Sequence, residues 1–131
     1  MIGLDTNVLV RYLTQDDPVQ SRAATALIEH RLTEQNPGFI SIVAMVEMAW
    51  VLERAYGVAD ADIATAIERI LQAAELIVQS EQEVFTAMIA LKEGRGSFAD
   101  ALIAVIGQRA GCEFTVTFDG KALRLPGFAL P

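Results

Sequence analysis

The sequence predicts an α/β fold, three layers α/β/α with a central parallel sheet of four to five strands. Three observations carry this. Short apolar runs alternate with longer stretches of helical periodicity. The punctuation between them is brief, with no linker, internal repeat or low-complexity segment. Two of the apolar runs end on an acid, at the strand end where open parallel sheets place their ligand sites.

Taken in order, the opening run "MIGLD" reads as a strand over 2–5 that ends on Asp5, with a short helix after Asn7. A helix over 18–35 starts on Pro18, which suits a first turn, and carries apolar Val19, Ala23, Ala26, Leu27 and Leu32 before the stop signal Asn36-Pro37-Gly38. A strand follows at 38–41, then helices over 43–56 and 59–73 separated by Gly57, and a strand at 75–79. Helices over 81–93 and 98–110 are parted by Gly94-Arg95-Gly96, and Gly111 ends the second. A strand at 114–118 and a short edge strand at 127–130 complete the set. Strands alternating with helices imply right-handed crossovers and a parallel sheet covered on both faces. A length of 131 residues fits one domain, 1–131.

Apolar residues make up 53% of the chain and the mean hydropathy is +0.36, above the roughly 45–50% apolar content of ordinary soluble domains. Apolar surface is therefore expected to remain for a partner, most simply a second copy in a homodimer. The longest nearly apolar run, Phe39 to Leu52, is too short to span a bilayer and carries Glu47, so no membrane segment is expected. Nothing at the start resembles a secretory leader, and the single Cys112 cannot form an internal disulfide; both point to the cytoplasm. A formal net charge of −7 argues against tight nonspecific binding to phosphate backbones, without excluding an enzyme whose acids are gathered in one metal site.

Four acids stand out. Asp5 and Asp119 each close an apolar strand, and would face one crevice if their strands were neighbours. Asp5 could equally cap the following helix, and Asp119-Gly120 could be a plain turn. Asp100 lies in Ser97-Phe98-Ala99-Asp100, a capping-box pattern opening an apolar helix, yet an acid there can project from the first turn into the crevice. Glu47 sits six residues past Ser41, too deep to cap, among Val43, Val46, Met48, Trp50 and Val51; burial is expected, and neither Arg54 nor Arg11 is an obvious partner. The bland reading is a surface acid on a helix more exposed than it looks.

Carboxylates about 4 Å apart repel by roughly 4 kcal/mol at an effective dielectric of about 20, so a cluster of them protonates or binds a cation. With oxygen ligands alone, the cation should be Mg²⁺ or Mn²⁺, ions that activate water and neutralise charge on a transferring phosphate. Thr6, Asn7, Ser97 and Thr117 flank the acids as substrate-orienting groups or as helix caps, the cap being favoured for Thr6. His30 reads as a surface residue, Cys112 as half-buried packing, and Arg95, Lys92, Lys121 and Arg124 as scattered charges or a small basic rim.

The stretches "LDTNVLVRYL", "SIVAMVEMAWVL" and "SFADALIAVIGQRAGCEFTVTFD", with the tail "KALRLPGFALP", resemble the PIN-domain family, and within it the VapC-type toxins of bacterial toxin–antitoxin pairs. The resemblance covers essentially the whole chain. It implies that Asp5, Glu47, Asp100 and Asp119 hold one or two Mg²⁺ or Mn²⁺ ions for hydrolysis of RNA phosphodiester bonds, with Asn7 as part of the site. Many relatives carry Asp where this chain has Ser97, which leaves the metal count open. The resemblance further implies a homodimer and a cognate VapB-like antitoxin whose C-terminal segment covers the active-site groove.

Two other readings compete. A haloacid-dehalogenase-like or receiver-type phosphoryl-transfer domain also gathers acids at strand ends, but here position 7 is Asn and the middle strands end in Ile40-Ser41 and Val78-Gln79-Ser80, without a phospho-acceptor acid. A catalytically silent PIN-like module would bind a partner only.

Overall fold

In the computed structural model, which describes all residues from Met1 to Pro131, helices dominate and every strand pairing is parallel. The chain divides into two units, Met1–Glu81 and Gln82–Pro131.

The first unit holds a three-stranded parallel sheet in the order β1 (Ile2–Gly3), β2 (Gly38–Ile40), β3 (Leu76–Val78). Gly38 lies opposite both Ile2 and Leu76, and Ile40 opposite Val78. Around the sheet run α1 (Thr6–Thr14), α2 (Pro18–Ala26), α3 (Ile42–Arg54) and α4 (Asp60–Gln72). Their starts are written locally. Asp17 accepts from the amides of Val19 and Gln20 with Pro18 in the first turn, and the Ser41 hydroxyl accepts from the Ala44 amide at 3.1 Å. Along α4, Ile63, Ala64, Ile67 and Ile70 are buried at helical spacing. Gly57 ends the turn after α3 at φ +62°, a left-handed conformation costly for other residues; the Val58 amide returns to the Leu52 carbonyl there.

The second unit contains all but the first residue of α5 (Glu81–Lys92), then α6 (Phe98–Arg109), β4 (Thr115–Val116), a 3₁₀ turn at Ala122–Arg124 and β5 (Phe128–Ala129). β4 and β5 form a two-stranded parallel ladder, Thr115 opposite Phe128. A Cβ on Gly96 would lie 2.6 Å from buried Leu125 Cδ1, so this close approach of the α5–α6 loop needs glycine.

Three expectations are corrected. The single sheet of four to five strands is replaced by one of three and one of two. Strands are shorter than read: β1 stops because Asp5 already begins α1, and β4 stops because the Thr117 hydroxyl accepts the Asp119 amide at 3.0 Å and bends the chain. The helix expected over 18–35 ends early. Its last turn widens into a π-helix at Leu27–Arg31, and Leu32 turns extended to bury its side chain. No helix is long and apolar enough to cross a membrane.

Candidate functional site

In the first unit Asp5 sits at the junction between β1 and α1, extended at φ −81° and ψ 162°. One carboxylate oxygen, Oδ1, accepts the Thr6 amide at 2.8 Å; the other accepts no hydrogen bond, and the residue is exposed. The cap is thus Asp5 and not Thr6, whose buried hydroxyl has no hydrogen-bond partner. Asn7, one residue further on, is exposed and lines an open cavity of about 290 Å³ together with Val8, Arg11, Gln20 and Leu27.

Glu47 corrects the sequence reading. Met45, Met48, Ala49 and Leu52 form the buried face of α3, whereas Val43 (63% exposed), Glu47, Trp50 and Arg54 recur at helical spacing on the outside. The carboxylate is therefore solvated, and burial does not account for it. Arg54 lies over the Trp50 ring, 5.7 Å from its centroid, and forms no ion pair with Glu47. The helix is apolar on both faces, so composition could not reveal which side met water.

In the second unit the Ser97 hydroxyl caps α6 by accepting the Asp100 amide at 3.1 Å. Only half of the capping box is formed, because no bond returns from Ser97 N–H to the half-buried Asp100 carboxylate. Capping thus uses the Asp100 backbone and leaves its carboxylate uncommitted. Asp119 builds the turn that its glycine neighbour suggested: Oδ1 accepts the Lys121 amide at 2.8 Å, and its own amide donates to Thr117 Oγ1. Within neither unit do three acid, histidine or cysteine side chains converge as a metal cluster. None of Asp5, Glu47, Asp100 or Asp119 is in a salt bridge; ion pairs join Arg11 to Asp16, Arg95 to Glu93 and Arg109 to Glu83. Carboxylate oxygens without thiol or imidazole among them suit a hard divalent cation. Cys112 is exposed, not half-buried.

A network escaped the sequence reading. Arg11 Nη1 donates to the Tyr56 hydroxyl at 2.9 Å and lies 3.3 Å from Asp16 Oδ1; Tyr56 donates to Asp16 Oδ2 at 2.6 Å, and Thr14 to Oδ1 at 2.8 Å. Arg11 and Tyr56 are 45 residues apart, which no local pattern announces. Hydrogen bonds from the Tyr56 and Thr14 hydroxyls hold the Asp16 carboxyl below its usual value; desolvation opposes them, and the Arg11 charge adds a lesser lowering effect. A lowered folded value gives stability that is present above the ordinary carboxylate range and is lost as pH falls through the folded value. Asp16→Asn is expected to flatten the acid limb of the stability–pH curve, read as urea midpoints at successive pH values; an unchanged slope would mean the network does not couple to folding. Next to it, burial and then a hydrogen bond to Glu29 raise the Tyr12 hydroxyl.

A family model described as PIN domain matches residues 2–127. No curated protein and no solved structure has a significant match to the chain.

Proposed function

The chain belongs to the PIN-domain family, generally nucleases that bind divalent metal ions, and from that premise we propose a Mg²⁺- or Mn²⁺-dependent endoribonuclease, the VapC-type toxin of a type II toxin–antitoxin pair. One observation carries the reading furthest. All four acids that the resemblance singles out keep at least one carboxylate oxygen free of hydrogen bonds, and no cationic side chain neutralises any of them. The caps take one oxygen or only the backbone, so each of these carboxylates stays available to a cation.

In this proposal Asp5, Glu47, Asp100 and Asp119 hold one or two ions, which when bound lower the pKa of a water and offset charge developing on the phosphate. Asp5 and Asp119 are held by their own turn hydrogen bonds, so neither must be ordered when a ligand arrives. Ser97 and Thr117 fix the backbone of Asp100 and Asp119 and act as positioning residues. Exposed Asn7 offers an amide to the substrate at the start of α1. The apolar content of 53% supports a homodimer, and the net charge of −7 supports a VapB-like antitoxin with a basic segment, the pair acting in the cytoplasm.

The test is incubation of the purified protein with total bacterial RNA in Mg²⁺ or Mn²⁺, against the same mixture in EDTA. Discrete fragments are expected only with metal. Intact RNA in every metal condition, with manganese still bound, would overturn the nuclease and leave a partner-binding module.

A further inference from the structure

Phe118 is the most exposed of the large apolar side chains, at 89%, and it immediately precedes Asp119. Scattered exposed apolar residues are ordinary, so exposure by itself assigns nothing. Three further features distinguish this ring. Its backbone is held on both sides: the Thr117 amide donates to the Ala129 carbonyl at 3.0 Å, the Asp119 amide to Thr117 Oγ1, and the Lys121 amide to Asp119 Oδ1. Exposed Lys121 and Arg124 follow within six residues, and neither side chain is in an ion pair, whereas Arg95 of the expected basic rim is paired with Glu93. The ring also lies past the end of β4, beyond less exposed Phe114 (47%) and Val116 (55%), and its neighbours in the turn are polar.

We propose that Phe118 is a base-stacking platform for single-stranded RNA, seating a nucleobase beside Asp119 while Lys121 and Arg124 meet the adjoining phosphates. The proposal rests on the nuclease reading above. Stacking on an aromatic face and cationic contacts to the backbone are the two interactions by which single strands are held, and stacking is tolerant of base identity. A ring on a fixed backbone loses little entropy when a base arrives, and two unpaired cations in an otherwise acidic chain supply the complementary charge. An apolar protein contact, the competing use of such a ring, is normally collared by near-neutral contacts that exclude water. Exposed Phe114 and Val116 stand at alternate positions on the strand side of Phe118, but its turn side carries Asp119 and Lys121, so such a collar is open there.

The single tryptophan makes the test direct. In a Trp50→Phe background, Phe118→Trp places the only indole at the platform, and a fluorescein-labelled single-stranded RNA of mixed sequence is titrated in EDTA so that it stays uncut. Quenching of the indole that tracks the anisotropy of the label is expected. Phe118→Ala and Phe118→Leu should each weaken binding by roughly tenfold or more, with Phe118→Tyr close to wild type. RNA bound without quenching, or Phe118→Leu binding as well as wild type, would overturn stacking while leaving the nuclease intact. A Phe118→Ala protein with unchanged RNA affinity and an altered oligomeric state would assign the ring to a protein contact. If wild type neither binds nor cleaves RNA, the nuclease reading falls and the platform with it.

Discussion

Replacing Asp5 by Asn is expected to lower metal-dependent RNA cleavage by at least ~100-fold while leaving folding stability within about 0.5 kcal/mol of wild type. The substitution separates the two roles that meet at this position. Asn caps a helix about as well as Asp, so the bond from the Thr6 amide survives; the negative charge and its free oxygen do not. Asp119→Asn obeys the same logic, because the amide oxygen still accepts from Lys121 N–H. Asp5→Ala provides the contrast: it should lose activity and also about 1 kcal/mol of stability as the cap disappears. Initial cleavage rates in Mn²⁺ and urea midpoints, measured on the same preparations, read both effects. Full activity in Asp5→Asn would reduce Asp5 to a cap and remove it from the metal site.

Ile40→Ala is expected to destabilise the protein by about 2–5 kcal/mol. Ile40 is fully buried on the middle strand of the three-stranded sheet, opposite Val78, and its truncation opens a cavity that a strand paired on both edges cannot close. Val43→Ala, three residues away but 63% exposed, should change stability by no more than about 0.5 kcal/mol. A lower urea midpoint with an unchanged slope would identify a loss of packing. The consequence reaches the candidate site, since β2 runs into Ser41, the cap of the helix carrying Glu47. A loss below about 1 kcal/mol would mean that the site relaxes around the truncation and that β2 does not anchor the first unit.

Much of this protein was legible from its sequence because the relevant chemistry is local. Ser41 and Ser97 cap the helices they precede, Gly57 stops the turn after α3, and helices α3 to α6 fall within one or two residues of their expected limits. The junction positions of Asp5, Asp100 and Asp119 follow from the same short-range hydrogen bonds, each joining groups no more than three residues apart. Family membership was legible too, through motifs spread over nearly the whole chain.

Burial and strand pairing were not legible, because both depend on groups distant in sequence. The apolar neighbours of Glu47 along its helix predict burial; only packing decides that Met45 and Met48 turn inward while Val43 and Glu47 meet water. Leu32 ends its helix early because the core takes the side chain, which overrides a helical pattern that would otherwise continue to the Asn36-Pro37 stop. The division into a three-stranded and a two-stranded sheet, the Arg11–Tyr56–Asp16 network and the exposure of Phe118 are likewise decided by tertiary structure. The sequence by itself thus determined the helices, their caps and the acids that stand at their ends, through bonds that close within a few residues. Tertiary structure decided which faces meet water and which strands pair, because those free energies arise between residues that the chain brings together only on folding.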